Sequence, residues 1–174
     1  LAQVRRALGP VTIVVNNAGI SAHVPFQDLT DEQWDTMMAV NLKGTFIVTQ
    51  VVLPDMIEAG GGRIVNISSS SAQSGAATMA HYSASKGGVI ALTKTLAQEF
   101  GRYSITANNI APRFVMNTVM SEKQFTEDST RDAIIKAGPI RRQGEPEDIA
   151  GACAWLVSEE AGYITATTQN LNGG

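Results

Sequence analysis

The feature that most constrains this 174-residue chain is an alternation of short β-branched runs, bounded by turn residues, with long helical stripes. "VTIVV" follows Gly9 and Pro10, a helix-terminating pair that closes the opening segment "LAQVRRALGP". A run of this kind suits a strand buried on both faces. "RIVNISS" reads as a second buried strand, "ITANNIA" as a more polar third, and "TTQNLNGG" as a last one. Thr30 and Gln33 make a capping box ahead of a helical segment through Trp34, Met37, Phe46 and Val52 toward Ala59, with Pro54 expected to kink its last turns. A second long helix runs from about Tyr82 to Arg102, with Val89, Leu92, Leu96 and Phe100 on one stripe. Pro146, between Glu145 and Glu147, opens a further helix that carries Ile149, Ala152, Cys153 and Leu156.

Strands alternating with helices of this length predict a doubly wound α/β fold, a Rossmann-like parallel sheet with helices on both faces, within one domain. In such sheets ligands sit beyond the carboxyl ends of the strands. The polar clusters fall in those places: "NNAG" after the first strand, "SSSS" after the second and "PRFVMNT" after the third.

Composition narrows the function classes. A net charge of −3 gives no electrostatic reason to expect nucleic acid or an anionic membrane as partner. The longest apolar stretches are strand-sized or interrupted, so no membrane span or secretory signal is expected. A single cysteine, Cys153, excludes an internal disulfide and fits a reducing compartment, so the cytoplasm is the expected location. His23 and His81 have no carboxylate or cysteine at ligand spacing, and no metal site is expected.

"HYSASKGG" places Tyr82 four residues before Lys86. Alone, the pair reads equally as the start of an amphipathic helix. Its company is more telling: "NNAG" after a strand, Asn41 inside a long helix in "VNLKGTF", Ser69 thirteen residues before Tyr82, and "NIAP" after the next strand. In this set and order the chain resembles the short-chain dehydrogenase/reductase family over essentially its whole length, and is similar to the bacterial ketone and 3-oxoacyl reductases.

The resemblance implies an oxidoreductase that interconverts a secondary alcohol and a ketone with NAD or NADP. Tyr82 would be the general acid/base, a phenol whose reference pKa of about 10 calls for a stabilised anion. Lys86, one helical turn further on, would lower that pKa and bond the cofactor ribose. Ser69 would hold the substrate oxygen, and Asn41 would interrupt its helix and hold a water that relays the proton. Asn17, Gly19, Pro112, Val115 and Thr118 would complete the cofactor site with Tyr82 and Lys86. The partners implied are a small alcohol or ketone and a second copy of the chain, in a dimer or tetramer built on the two long helices. Substrate choice would reside between Phe114 and about Gly138, where Phe114, Met116, Met120 and Phe125 suit a lid over an apolar ligand.

Other readings of these residues stand beside the family ones. Ser69 lies in a four-serine run that also reads as a polar loop, Asn41 also reads as a helix residue bonding locally, and "NNAG" also reads as a turn bracing the sheet. Gly60 to Gly62 precede a strand, so they read as a turn and not as a phosphate loop.

The sequence also departs from the family pattern. The glycine-rich "TGxxxGxG" loop and the residue that selects NAD or NADP are not in it, and roughly three strands are expected ahead of Leu1 in a longer chain. Otherwise this would be a non-catalytic or fragmentary relative kept for binding or assembly. Arg113 stands where relatives have glycine after Pro112, Asn117 takes the place of the usual threonine with Thr118 one position late, Ala166 replaces a glycine, and Gln169 an apolar residue.

Overall fold

The computed structural model describes residues 1–118, 120–121 and 128–174. Four parallel strands lie in chain order: β1 (Ile13–Asn16), β2 (Gly62–Ile67), β3 (Ile105–Pro112) and β4 (Thr168–Leu171). Helix α1 (Ala2–Leu8) precedes β1, and α2 (Asp31–Met38) and α3 (Gly44–Glu58) connect β1 to β2. After β2 come α4 (Ser71–Ser74) and α5 (Ala80–Phe100). Between β3 and β4 lie α6 (Asp128–Ala137) and α7 (Pro146–Leu156).

Alternation along each strand sends side chains to opposite layers. Val14, Ile64 and Ala107 meet Val52 and Met56 of α3 and Leu96 and Ala97 of α5. On the other face Val65 and Ile110 pack on Leu156 of α7. Helices therefore cover both faces, as the alternation predicts. β3, read in sequence as more polar than the first two strands, is buried from Ile105 to Ala111. Part of this polarity is satisfied, since Asn108 Nδ2 donates to the Ile164 carbonyl at 2.7 Å and Asn109 Nδ2 to Ser68 Oγ at 2.7 Å, while Asn109 Oδ1 and Thr106 Oγ1 are buried without a partner among the described residues.

The first strand corrects an expectation. Ile13 and Val15 are 48% and 43% exposed, so β1 is buried on one face only. It pairs with β2 alone among the described strands. The long first helix forms over the stretch read in sequence, and its regular winding is interrupted at Asn41. A π-helical turn (Ala39–Lys43) joins α2 to α3, and the helix continues through Pro54 to Glu58. The joined stretch Asp31–Glu58 is long and apolar enough to cross a membrane by length and composition. Here it is a helix of the α/β layer, with Asn41, Thr45, Thr49 and Asp55 buried. The Thr30–Gln33 capping box starts it as predicted.

Candidate active site

The carboxyl ends of β1, β2 and β3 form the base of the site. Asn16, Asn66 and Asn109 share one register row across these strands. Asn16 Nδ2 donates to Asn66 Oδ1 at 2.7 Å and to Thr49 Oγ1 at 2.9 Å, while Asn66 Nδ2 donates to Thr93 Oγ1 at 2.9 Å. These bonds tie α3 and α5 to the strand ends directly beneath the polar loops. Sequence reasoning missed the row, although each of the three runs shows an asparagine near its end.

Ser69 follows β2. Ser71 donates to its Oγ twice, from the backbone N–H at 3.2 Å and the hydroxyl at 2.9 Å. With those acceptor positions occupied, the Ser69 hydroxyl is left to donate outward. Its hydrogen bond with the Tyr82 phenol favours the anion, whereas burial works more strongly the other way and raises the phenol above its ordinary value.

The first turns of α5 bring Tyr82 and Lys86 inward, 8% and 4% exposed. Lys86 Nζ donates to the Ile67 carbonyl at 2.8 Å and lies 6.0 Å from the Tyr82 ring centroid. Burial lowers its pKa to about 8. Asn41, fully buried in the π-helical turn, accepts from the Ile20 N–H at 2.8 Å. Its Nδ2 lies within 3.1 Å of Ser85 Oγ and 3.0 Å of the Ile20 carbonyl. Ser85 in turn donates to the Tyr82 carbonyl at 2.8 Å. The wider turn thus ties Asn41 to the loop after β1 and to the helix that carries Tyr82.

Gly19 closes this side of the site. A Cβ there would meet Lys86 Nζ and Asn41 Oδ1, both at 3.2 Å, so the absent side chain leaves the ammonium approachable. Ser69, Tyr82 and Lys86 open into a cleft of about 1040 Å³ that Asn17, Gly19, Pro112, Val115 and Thr118 also line. Asn41 lies behind it, beside Gly19. Thr118 Oγ1 accepts from the Ser121 N–H at 3.0 Å, so it also starts a helical turn. Asn117, one position earlier, donates from Nδ2 to Glu145 Oε2 at 2.6 Å. Of the residues expected to cover an apolar ligand, Phe114 and Met120 line the cleft, Met116 is buried and does not line it, and Phe125 lies outside the described residues.

Comparison with known proteins decides the family. The family model described as enoyl-(acyl carrier protein) reductase matches residues 1–174. Nodulation protein G of Azospirillum brasilense is 45% identical over 175 residues, which is all of this chain and 70% of that protein. The chain belongs to the short-chain dehydrogenase/reductase family. Among other short-chain dehydrogenases/reductases, the acetoacetyl-CoA reductase of Rhizobium meliloti is 41% identical over 174 residues, all of this chain and 71% of that protein. A gluconate 5-dehydrogenase from Burkholderia cenocepacia, solved with NADP and tartrate, superposes with a TM-score of 0.94 at 33% identity, over 99% of this chain and 68% of that one.

As a member of this family the protein is an NAD(P)-dependent oxidoreductase acting on CH–OH groups, and the non-catalytic alternative is not favoured. The residues present suit the nicotinamide end of such a cofactor. The gap at Gly19 beside the Lys86 ammonium is a cradle that a side chain would fill, and Pro112, Val115 and Thr118 wall the same cleft.

Proposed function

We propose that this enzyme interconverts 3-oxoacyl and 3-hydroxyacyl compounds, with Ser69, Tyr82, Lys86 and Asn41 as its catalytic set. The observation that carries the reading is the burial of Tyr82 and Lys86 beside Ser69 in one cleft, where a phenol, an ammonium and a hydroxyl converge. NADH or NADPH held by Asn17, Gly19, Pro112, Val115 and Thr118 would supply the hydride for the carbonyl carbon. Ser69 donates to the carbonyl oxygen and holds it against the Tyr82 phenol, which gives up its proton as the alkoxide develops.

Burial keeps that phenol protonated until it is needed. Lys86, charged below about pH 8, then stabilises the phenolate, and its ammonium is within reach of a ribose hydroxyl across the Gly19 gap. Asn41 is a positioning residue that links Ser85 and Ile20, and a water at its amide would return the proton from Lys86 to solvent. Asn17, Gly19, Pro112, Val115 and Thr118 hold the cofactor. The acyl compound is drawn from the named activity of relatives such as acetoacetyl-CoA reductase. Apolar walls at Ile67, Ala76, Met79 and Met120 suit an acyl chain.

We also infer a homodimer or homotetramer in the cytoplasm. Phe46, Ile47, Val48 and Val51 of α3 are each 44–46% exposed, an apolar stripe that a second copy would cover. The test of the activity is to mix the intact protein with acetoacetyl-CoA and, separately, with acetoacetate, each with NADPH and with NADH, and follow loss of the reduced nicotinamide absorbance. Turnover in any of these mixtures supports the reading; none in all of them refutes it.

A further inference from the structure

Among the described charged residues of the cleft, Arg113 is the one that the catalytic set leaves unused. It follows β3 directly, and its backbone N–H donates to the Leu171 carbonyl at 3.2 Å. The preceding Pro112 carbonyl accepts from the Ser70 N–H at 3.0 Å, which anchors the base of the arginine beside the loop that carries Ser69. The side chain is exposed, and no described residue bonds or pairs with its guanidinium. It lines the catalytic cleft, and with Phe114 and Val115 it also lines a second cavity of about 650 Å³.

The charge balance around it is one-sided. Among the described residues, Lys86 and Arg113 are the charged side chains of the cleft, and no carboxylate lines it. Asp148 faces the second cavity, but Arg142 holds it with bonds of 2.7 and 2.8 Å. An unpaired guanidinium in a cleft otherwise walled by hydroxyls and apolar groups is poised for a planar anion, which it can bind through two parallel N–H donors. The phosphates of a carrier arm lie at the far end of a long pantetheine chain, outside a cleft of this size. A carboxylate two carbons from a carbonyl held at Ser69 and Tyr82 would lie inside it.

We propose that Arg113 is a specificity-determining residue that pairs with a carboxylate of the substrate, so that the enzyme acts on a free oxo or hydroxy acid in preference to a neutral ester or thioester of the same skeleton. This rests on the reading of the catalytic set above and narrows its acyl compound to the acid. Arg113 is exposed and unpaired, so Arg113→Met removes the charge, keeps most of the stem and leaves the fold intact.

The experiment compares the wild type, Arg113→Met and Arg113→Lys in three arms. In the first, acetoacetate and ethyl acetoacetate are the substrates, and the ratio of their kcat/KM values is read. The wild type should prefer the acid by about tenfold or more, Arg113→Met should lose that preference mainly through KM of the acid, and Arg113→Lys should keep part of it. In the second arm, calorimetric titration of acetoacetate, with and without NADP, should show affinity lost in Arg113→Met and partly kept in Arg113→Lys. This arm reads the carboxylate contact even if neither compound is turned over, an outcome that would sink the catalytic reading instead. The third arm measures NADPH affinity. A fall there with an unchanged acid-to-ester ratio would assign the guanidinium to the dinucleotide phosphates and overturn the proposal, as would acetoacetate binding that is equal in all three proteins.

Discussion

Lys86 is held in the site at a cost to the fold, and the cost can be measured. The side chain is 4% exposed, and burial takes its pKa from 10.5 to about 8. Each tenfold loss of proton affinity corresponds to about 1.4 kcal/mol, so keeping the ammonium charged in the folded protein costs about 3 kcal/mol at pH 7. Lys86→Met removes this cost and fills similar volume. It also removes the donor to the Ile67 carbonyl, worth about 1 kcal/mol. The cofactor-free variant should therefore be about 2 kcal/mol more stable at pH 7, melting roughly 5 °C higher for a chain of this size, while losing turnover.

The sign of the pH dependence follows from the same shift. Between about 8 and 10.5 the unfolded chain holds the Lys86 proton and the folded one does not, so wild-type stability rises with pH through that window. The variant's advantage should be complete below pH 7 and nearly gone by pH 10. Thermal melts of both proteins across this range, without cofactor, check the reasoning. A variant less stable than wild type at pH 7, by an amount that does not change with pH, would refute it.

Two further outcomes follow from single residues. Ala166 sits at φ 61°, a left-handed conformation that costs a residue with a Cβ about 1 kcal/mol. Ala166→Gly should raise the melting temperature by a few degrees, and no change would mean that the turn carries no such strain. Ser69→Ala removes the hydrogen bond that favours the Tyr82 phenolate. The phenol should then titrate at higher pH by ultraviolet absorbance, and turnover should fall by about a hundredfold; a titration that stays in place would remove Ser69 from the phenol's surroundings.

The layered fold was legible because β-branched runs and helical stripes alternate, and because Thr30, Gln33 and Pro146 mark helix starts by local chemistry. Burial of an individual strand was not. "VTIVV" looks the same whether one or two faces are covered, and the exposure of Ile13 and Val15 depends on neighbours that the run itself does not encode. The long first helix was legible as one segment, but that its polar residues Asn41, Thr45, Thr49 and Asp55 turn inward was not.

In the site, a spacing of four was enough to put Tyr82 and Lys86 on one face of α5, whereas Ser69 was picked from its serine run only by the family resemblance. Long-range partners stayed hidden. Asn16 meets Asn66 across 50 positions, and Asn41 meets Ser85 across 44, pairings that only the strand register and the π-helical turn create. The electrostatics were also only half visible. Lys86 was expected to lower the Tyr82 pKa, but in the folded protein burial dominates both groups, and Ser69 supplies the opposing effect on the phenol.

The most direct test of the catalytic account is Tyr82→Phe, which removes one oxygen atom and leaves the ring packed against Met37 and Met79. Steady-state turnover with acetoacetate or acetoacetyl-CoA should fall by roughly a thousandfold or more while NADPH affinity stays within a few-fold of wild type. A variant that keeps most of its turnover would take Tyr82 out of the proton transfer and contradict the account at its centre.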